Sequence, residues 1–136
     1  MSKRDEIGEL LSDYAWAMDA GDFEALNQVF TEDAEFSIEI PGTDTIGPFS
    51  PRQEVIDFIA GTAAELQDQR RHVVTNQRFV REGENEAEVT ATLTLNATAD
   101  GKLTVLATGI YEVAVRREDG GWRIASLAIL LDAPFS

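Results

Sequence analysis

The chain has 136 residues, 43% of them hydrophobic and 26% charged, the length and make-up of one globular domain with room for one core and one ligand pocket. Eleven Lys and Arg stand against 25 Asp and Glu, a formal net charge of -14, which opposes approach to nucleic-acid phosphates and anionic membranes. The absence of Cys and the single His exclude thiol nucleophiles, redox couples and thiolate metal sites and argue against a histidine metal centre, so no cofactor and no metal is expected.

The opening MSKRDEIGELL has early charges but no uninterrupted apolar run, and no later run approaches the roughly 20 residues that span a bilayer. A soluble, cytoplasmic protein is expected. From Ile7 the apolar residues Ile7, Leu10, Leu11, Tyr14, Ala15 and Met18 form the stripe of an amphipathic helix. Gly21 stops it. Asp22 can cap a second, short helix through Phe23, Leu26, Val29 and Phe30, after which Thr31-Glu32-Asp33 is read as a turn into a strand over Ala34–Ile40. Pro41–Pro51 holds three of the four prolines and reads as an irregular loop. Ser50 is placed as the cap and Pro51 as the first position of a third helix carrying Val55, Ile56, Phe58, Ile59, Ala63 and Leu66.

After Asp68 the sequence turns to Val, Thr, Ile and aromatic residues. His72–Val80, Glu88–Thr98, Leu103–Arg117 and Trp122–Asp132 are read as four strands in meander order, parted by turns at Glu82-Gly83, Asp100-Gly101 and Asp119-Gly120-Gly121. In the second of them Val89, Ala91, Leu93, Leu95 and Ala97 alternate with Thr90, Thr92, Thr94, Asn96 and Thr98. The next is apolar on both faces near Val105–Ala107 and Ile110, which predicts cover on both sides, by helices and by a partner subunit. No repeat or linker interrupts the chain. Helices followed by a curled, mostly antiparallel sheet specify a single α+β domain over residues 1–136, a cone with three helices on the concave face of the sheet and a pocket inside.

Few residues in this frame can carry chemistry. His72 brings an imidazole, whose ordinary pKa lies near ~6.5, to the start of a long strand, where His72, Val74, Asn76 and Arg78 would share one face. Asp19 ends the first helix, where the macrodipole disfavours a carboxylate by up to ~1 kcal/mol; its helical position lets it reach under the helix, although a solvated Asp would stand there as well. Tyr14 lies on the buried stripe, and its hydroxyl needs a partner if it is enclosed. Trp16 faces away from Ile7, towards solvent or an interface. Asn76, Phe58 and Asp132 are further candidates for contact with a ligand. There is no GxGxxG, no phosphate loop, no GxSxG elbow and no calcium-loop spacing.

The helix end Tyr14-Ala15-Trp16-Ala17-Met18-Asp19-Ala20-Gly21-Asp22, the run Val29-Phe30-Thr31-Glu32-Asp33-Ala34, the segment Arg71-His72-Val73-Val74-Thr75-Asn76 and the closing Gly120-Gly121-Trp122-Arg123-Ile124 together resemble the SnoaL-like branch of the nuclear transport factor 2-like superfamily. The resemblance spans nearly the whole chain. It implies a cystatin-like cone, often dimeric through the outer face of the sheet, in a superfamily of dehydratases, dehydrochlorinases, isomerases, polyketide cyclases and non-enzymes. In the dehydratases and dehydrochlorinases an Asp at the end of the first helix pairs with a His on the strand after the third helix. Those positions match Asp19 and His72, and the dehydratases' helix Tyr matches Tyr14. Two departures stand out: resemblance to scytalone dehydratase implies a second His and further Tyr residues in the pocket, whereas this chain has one His and no Tyr besides Tyr14 and Tyr111, and Asn96 with its Thr neighbours occupies the strand that carries the cyclases' Asp.

The function expected is a cofactor-independent lyase or isomerase acting on an apolar, ring-containing small molecule. His72 is the base, Asp19 its orienter, and Tyr14 the donor to a substrate oxygen, with Trp16, Phe58, Asn76 and Asp132 around the substrate. The alternatives are a ligand-binding or assembly module without chemistry, a polyketide cyclase, or an epoxide hydrolase, which would need an Asp-Arg-Asp group from Arg78 or Arg123 with Asp132. The expected partners are a small apolar substrate and a second copy of the chain, not nucleic acid or membrane.

Overall fold

The computed structural model describes residues 1–135. Helix α1 (Lys3–Ala20) starts where the Ser2 side chain accepts the Asp5 N–H, and Asp5 and Glu6 in its first turn suit the positive end of the dipole. It ends at Gly21, whose φ of 66° is left-handed; the Gly21 N–H donates to the Met18 carbonyl and the Asp22 N–H to that of Ala17. Asp22 then accepts the Ala25 N–H and caps helix α2 (Phe23–Val29). Strands β1 (Phe30–Glu39) and β2 (Ile46–Phe49), helix α3 (Arg52–Ala63) and strands β3 (Gln69–Glu82), β4 (Glu86–Ala99), β5 (Lys102–Glu118) and β6 (Gly121–Leu131) follow.

All six strands form one mixed sheet in the order β2-β1-β6-β5-β4-β3, in which β1 and β6 run parallel and every other pair antiparallel. Bulges interrupt the register at Thr75/Arg78 and Phe79/Arg81 of β3, Leu95/Asn96 of β4 and Ala114/Val115 of β5. Each adds local twist and bends the sheet. The helices fill the concave side. Ile7, Leu11 and Tyr14 of α1, Leu26 of α2, and Val55 and Ile59 of α3 meet Val89 and Leu93 of β4, Tyr111, Val113 and Val115 of β5, and Ile124 and Leu127 of β6 in one buried core.

Three local expectations are corrected. Thr31-Glu32-Asp33 is strand from its first residue, because β1 already pairs with β6 at Phe30. The proline-rich loop contains β2, which pairs with β1 through Phe36–Phe49 and Ile38–Ile46. Helix α3 begins at Arg52 behind Pro51 with no side-chain cap, and the Ser50 hydroxyl donates instead to the Asp33 carbonyl at 3.5 Å. Leu66 lies beyond its end. The helices supply the cover expected on the inner side of β5; on its outer side Leu103 and Val105 are 70% and 60% exposed in the single chain, and Ile110 is exposed beside them.

Candidate functional site

Helix α1 packs across β3, which brings its last turn to the start of that strand. There the Asp19 carboxylate accepts the His72 Nδ1–H at 2.7 Å and the His72 backbone N–H with both oxygens, at 2.9 and 3.1 Å. The two side chains keep 9% and 12% of their surface exposed. No basic residue in the last turn of α1 offsets the dipole at this carboxylate. The hydrogen bonds from His72 do so instead, since charge-assisted bonds are worth about twice neutral ones. A carboxylate only accepts, so Nδ1 carries the hydrogen and the Nε2 lone pair is left for chemistry. Nε2 has no hydrogen-bond partner among the described residues.

Tyr14 sits one turn or so before Asp19 on the buried stripe of α1. Its ring meets three others edge-on: His72 at 6.4 Å between centroids, Phe30 at 6.0 Å and Tyr111 at 6.0 Å. Burial pushes both phenols above the ordinary range, and the Asp19 carboxylate adds to the shift in each. Tyr111 was not among the expected site residues. The available signal was parity: Tyr111, Val113 and Val115 share one face of β5, and the register opposite Ala91, Val89 and Ala87 makes that face the inner one.

The remaining candidates lie apart from this group. Asn76 is exposed in a left-handed conformation, φ 56°, inside the bulge between Thr75 and Arg78. That bulge ends the face expected for His72, Val74, Asn76 and Arg78: Val74 opposes inward Leu93, whereas Arg78 opposes outward Thr90 and Phe79 takes the inner side opposite Val89. Trp16, 71% exposed, stands roughly 200° around the helix from Tyr14 and borders a groove of about 660 Å³ floored by Leu10, Ala17, Val29 and Trp122. Phe58 is half-buried, stacked on Phe49 at 4.2 Å and tilted against Phe36 at 6.1 Å. Asp132 follows β6, accepting from the Thr108 hydroxyl at 2.7 Å.

Arg123 is committed to α2 through the Asn27 carbonyl and the Gln28 side chain, so it supplies no acid–Arg–acid group with Asp132. Such a group does occur elsewhere. Arg116 bonds Asp33 and Glu118 at 2.8 Å each, but it is solvent-accessible. Further cavities of about 360 and 250 Å³ lie along the outer face of the sheet and near Pro41. None of the three opens on Asp19, His72 or Tyr14. In place of the enclosed chamber expected there, the rings pack directly against one another.

The sequence matches the SnoaL-like domain over residues 1–128, and the chain belongs to the SnoaL-like family. Among curated proteins none matches it. Its fold is shared with a Novosphingobium aromaticivorans protein provisionally named an aromatic ring hydroxylase, at 26% identity and TM-score 0.81 over 98% of this chain and 91% of that one. A second protein from the same organism, NTF2-like with a cystatin-like fold, is 24% identical, TM-score 0.79, over 95% and 81% of the two chains. A third, provisionally named scytalone dehydratase, is 22% identical, TM-score 0.75, over 95% and 83%. Among the described residues no helix is long and apolar enough to cross a membrane, and no three His, Asp or Glu side chains gather as a metal site would require.

Proposed function

We propose that the protein is a cofactor-independent lyase or isomerase that removes a proton from an apolar, ring-containing small molecule. One observation carries the reading: Asp19 holds both the backbone N–H and the Nδ1–H of His72, which leaves the Nε2 lone pair as the base. As Nε2 takes the proton, the ring becomes an imidazolium, and the carboxylate 2.7 Å from Nδ1 stabilises it. Tyr14, edge-on to the ring, donates its hydroxyl to an oxygen of the substrate. Loss of water or halide, or a shift of the double bond, completes the reaction.

The reading is tested by exchange of carbon-bound hydrogen in heavy water, followed by nuclear magnetic resonance on a panel of cyclic ketones, hydroxyketones and halocyclohexanes. Exchange or elimination by the native chain and its loss in His72→Gln support the base. Equal rates in the two proteins overturn it. A second reading, a binding module without chemistry, is favoured by the cavities' lying away from the dyad. It predicts that His72→Gln alters ligand affinity only mildly.

We also propose that a second copy covers the outer face of the sheet. Val73, Leu103, Val105 and Ile110 are exposed there among Thr92, Thr94, Asn96 and Thr108, an apolar and threonine-rich centre with Arg71, Arg78, Glu88 and Glu112 around it, on a chain of net charge -14. Two such chains repel least where they meet through a neutral face.

A further inference from the structure

We propose that the groove beside Trp16 is a docking site for a partner protein, which enters it with a basic amphipathic helix carrying Lys or Arg one turn apart. The inference is independent of the reading of His72, because the groove does not touch Asp19, His72 or Tyr14. It runs along one face of α1, from Glu6 past Asp13 to Ala20, and α2 and the start of β6 close its other side. Small residues make it: Ala17 and Ala20 of α1, Ala25 of α2 and Gly121 of β6 stand where longer side chains would fill the space.

The floor is apolar, since Leu10, Ala17, Val29 and Trp122 are all buried. Trp16 stands at the edge with most of its surface in solvent, and a large aromatic side chain beside a groove is the kind of residue that anchors a protein interface. The Trp122 indole is 7% exposed, and its N–H has no hydrogen-bond partner among the described residues. A buried donor of that kind ordinarily has an acceptor, so the groove wall holds a polar atom that this chain does not satisfy.

Charge selects the occupant. Glu6, Glu9, Asp13 and Asp22 line the groove, and no Lys or Arg side chain does. Glu9, Asp13 and Asp22 have no ion pair among the described residues. The two cations beside Trp122 are already engaged: Arg117 lies 5.6 Å over the Trp122 ring and 3.9 Å from Glu6, and Arg123 bonds the Asn27 carbonyl and the Gln28 side chain. Arg117 also shows what this wall can hold, a guanidinium between an aromatic face and a carboxylate.

Spacing then separates a helix from a small cation. Glu6, Glu9 and Asp13 follow one another at intervals of three and four residues, so they mark successive turns and span about 10 Å of α1. A compact ammonium ion meets one of them. A helix with cations at the same intervals meets all three while its apolar face lies on Leu10, Ala17 and Val29 and packs against Trp16. Nucleic acid and anionic lipid are repelled from this face, as is a second copy of the same acidic surface.

The test uses the whole protein and a peptide of two heptads of Leu and Lys patterned as an amphipathic helix, with a counterpart in which Glu replaces Lys. Neither peptide is aromatic and Trp122 is already buried, so a blue shift of tryptophan emission reports the covering of Trp16. The native chain is expected to show a saturable shift with the Lys peptide alone, and Trp16→Phe to show none. Glu9→Lys combined with Asp13→Lys, at two exposed positions, should weaken binding about 10–100-fold. Glu39→Lys combined with Glu65→Lys makes the same change of charge at exposed positions outside the groove, and should weaken it less than about threefold. The absence of a saturable shift, a shift that survives in Trp16→Phe, equal losses in the two double variants, or equal binding of the Glu peptide overturns the proposal. Hexylammonium that displaces the Lys peptide at the peptide's own concentration identifies a small-cation pocket instead, and overturns it as well.

Discussion

The carboxylate of Asp19 bonds both the main chain and the ring of His72, so one side chain at the end of α1 fixes where β3 begins and which way its imidazole faces. Asp19→Asn keeps the size but puts an amide N–H where an acceptor is needed. Proton exchange is expected to fall about 10²–10⁴-fold, and stability in urea by about 1.5–3 kcal/mol as charge-assisted bonds are lost. His72→Gln should remove turnover with near-native circular dichroism.

Both phenols are held above their ordinary pKa, chiefly by burial. A raised phenol pKa leaves folding fully stable below the unfolded value near ~10, and stability declines as pH rises above it. Absorbance titration should show almost no phenolate in the native chain until it unfolds, and both groups should then ionise together. Gradual ionisation with the fold retained would contradict the burial of these residues.

Gly109 stands in β5 opposite Leu93 and Leu131. A Cβ there would lie 2.4 Å from the Leu130 carbonyl oxygen and 3.0 Å from the Leu131 Cα, both backbone atoms. Gly109→Ala forces β5 and β6 apart and should cost about 1–3 kcal/mol, read as a lower urea midpoint with unchanged slope.

Arg116, assisted by the Thr31 hydroxyl, holds the Asp33 carboxyl below the ordinary range. A depressed carboxylate stabilises the fold above its unfolded pKa, and that contribution disappears as pH falls through the folded one. The pair is exposed to solvent, so it is worth at most about 1 kcal/mol. Arg116→Gln should flatten the acid limb of the stability curve, and molar salt should erase the difference between the two proteins.

A charge at the centre of the outer face is expected to keep copies apart. Val105→Glu with Ile110→Glu should give a monomer in analytical ultracentrifugation with the melting transition of the core retained. A native chain that sediments as a monomer would refute the pairing.

Local pattern was enough for much of the fold. The 3.6-residue stripe from Ile7 to Met18, the Gly21 stop, the Asp22 cap and the alternation from Val89 to Ala97 all appear in the structure, because each depends on neighbours within a few residues. What the sequence hid was decided by distant strands. β1 extends back to Phe30 because β6, nearly a hundred residues later, offers it a parallel edge. β2 is too short and too rich in proline and glycine to be seen without Phe36 opposite Phe49. One extra residue at Asn76 reverses the faces of β3 and carries Arg78 outwards, and nothing in a run of polar residues marks where the alternation slips.

By itself, the sequence determined the three helices, the four long strands and the two awkwardly placed residues, Asp19 and His72. Only the tertiary structure decided that a carboxylate and an imidazole 53 positions apart meet at 2.7 Å, that Trp16 stands outside, and that Tyr111 closes on Tyr14. Periodicity states which side of an element is buried, whereas what lies opposite that side depends on strand order and bulges, which are set by long-range pairing.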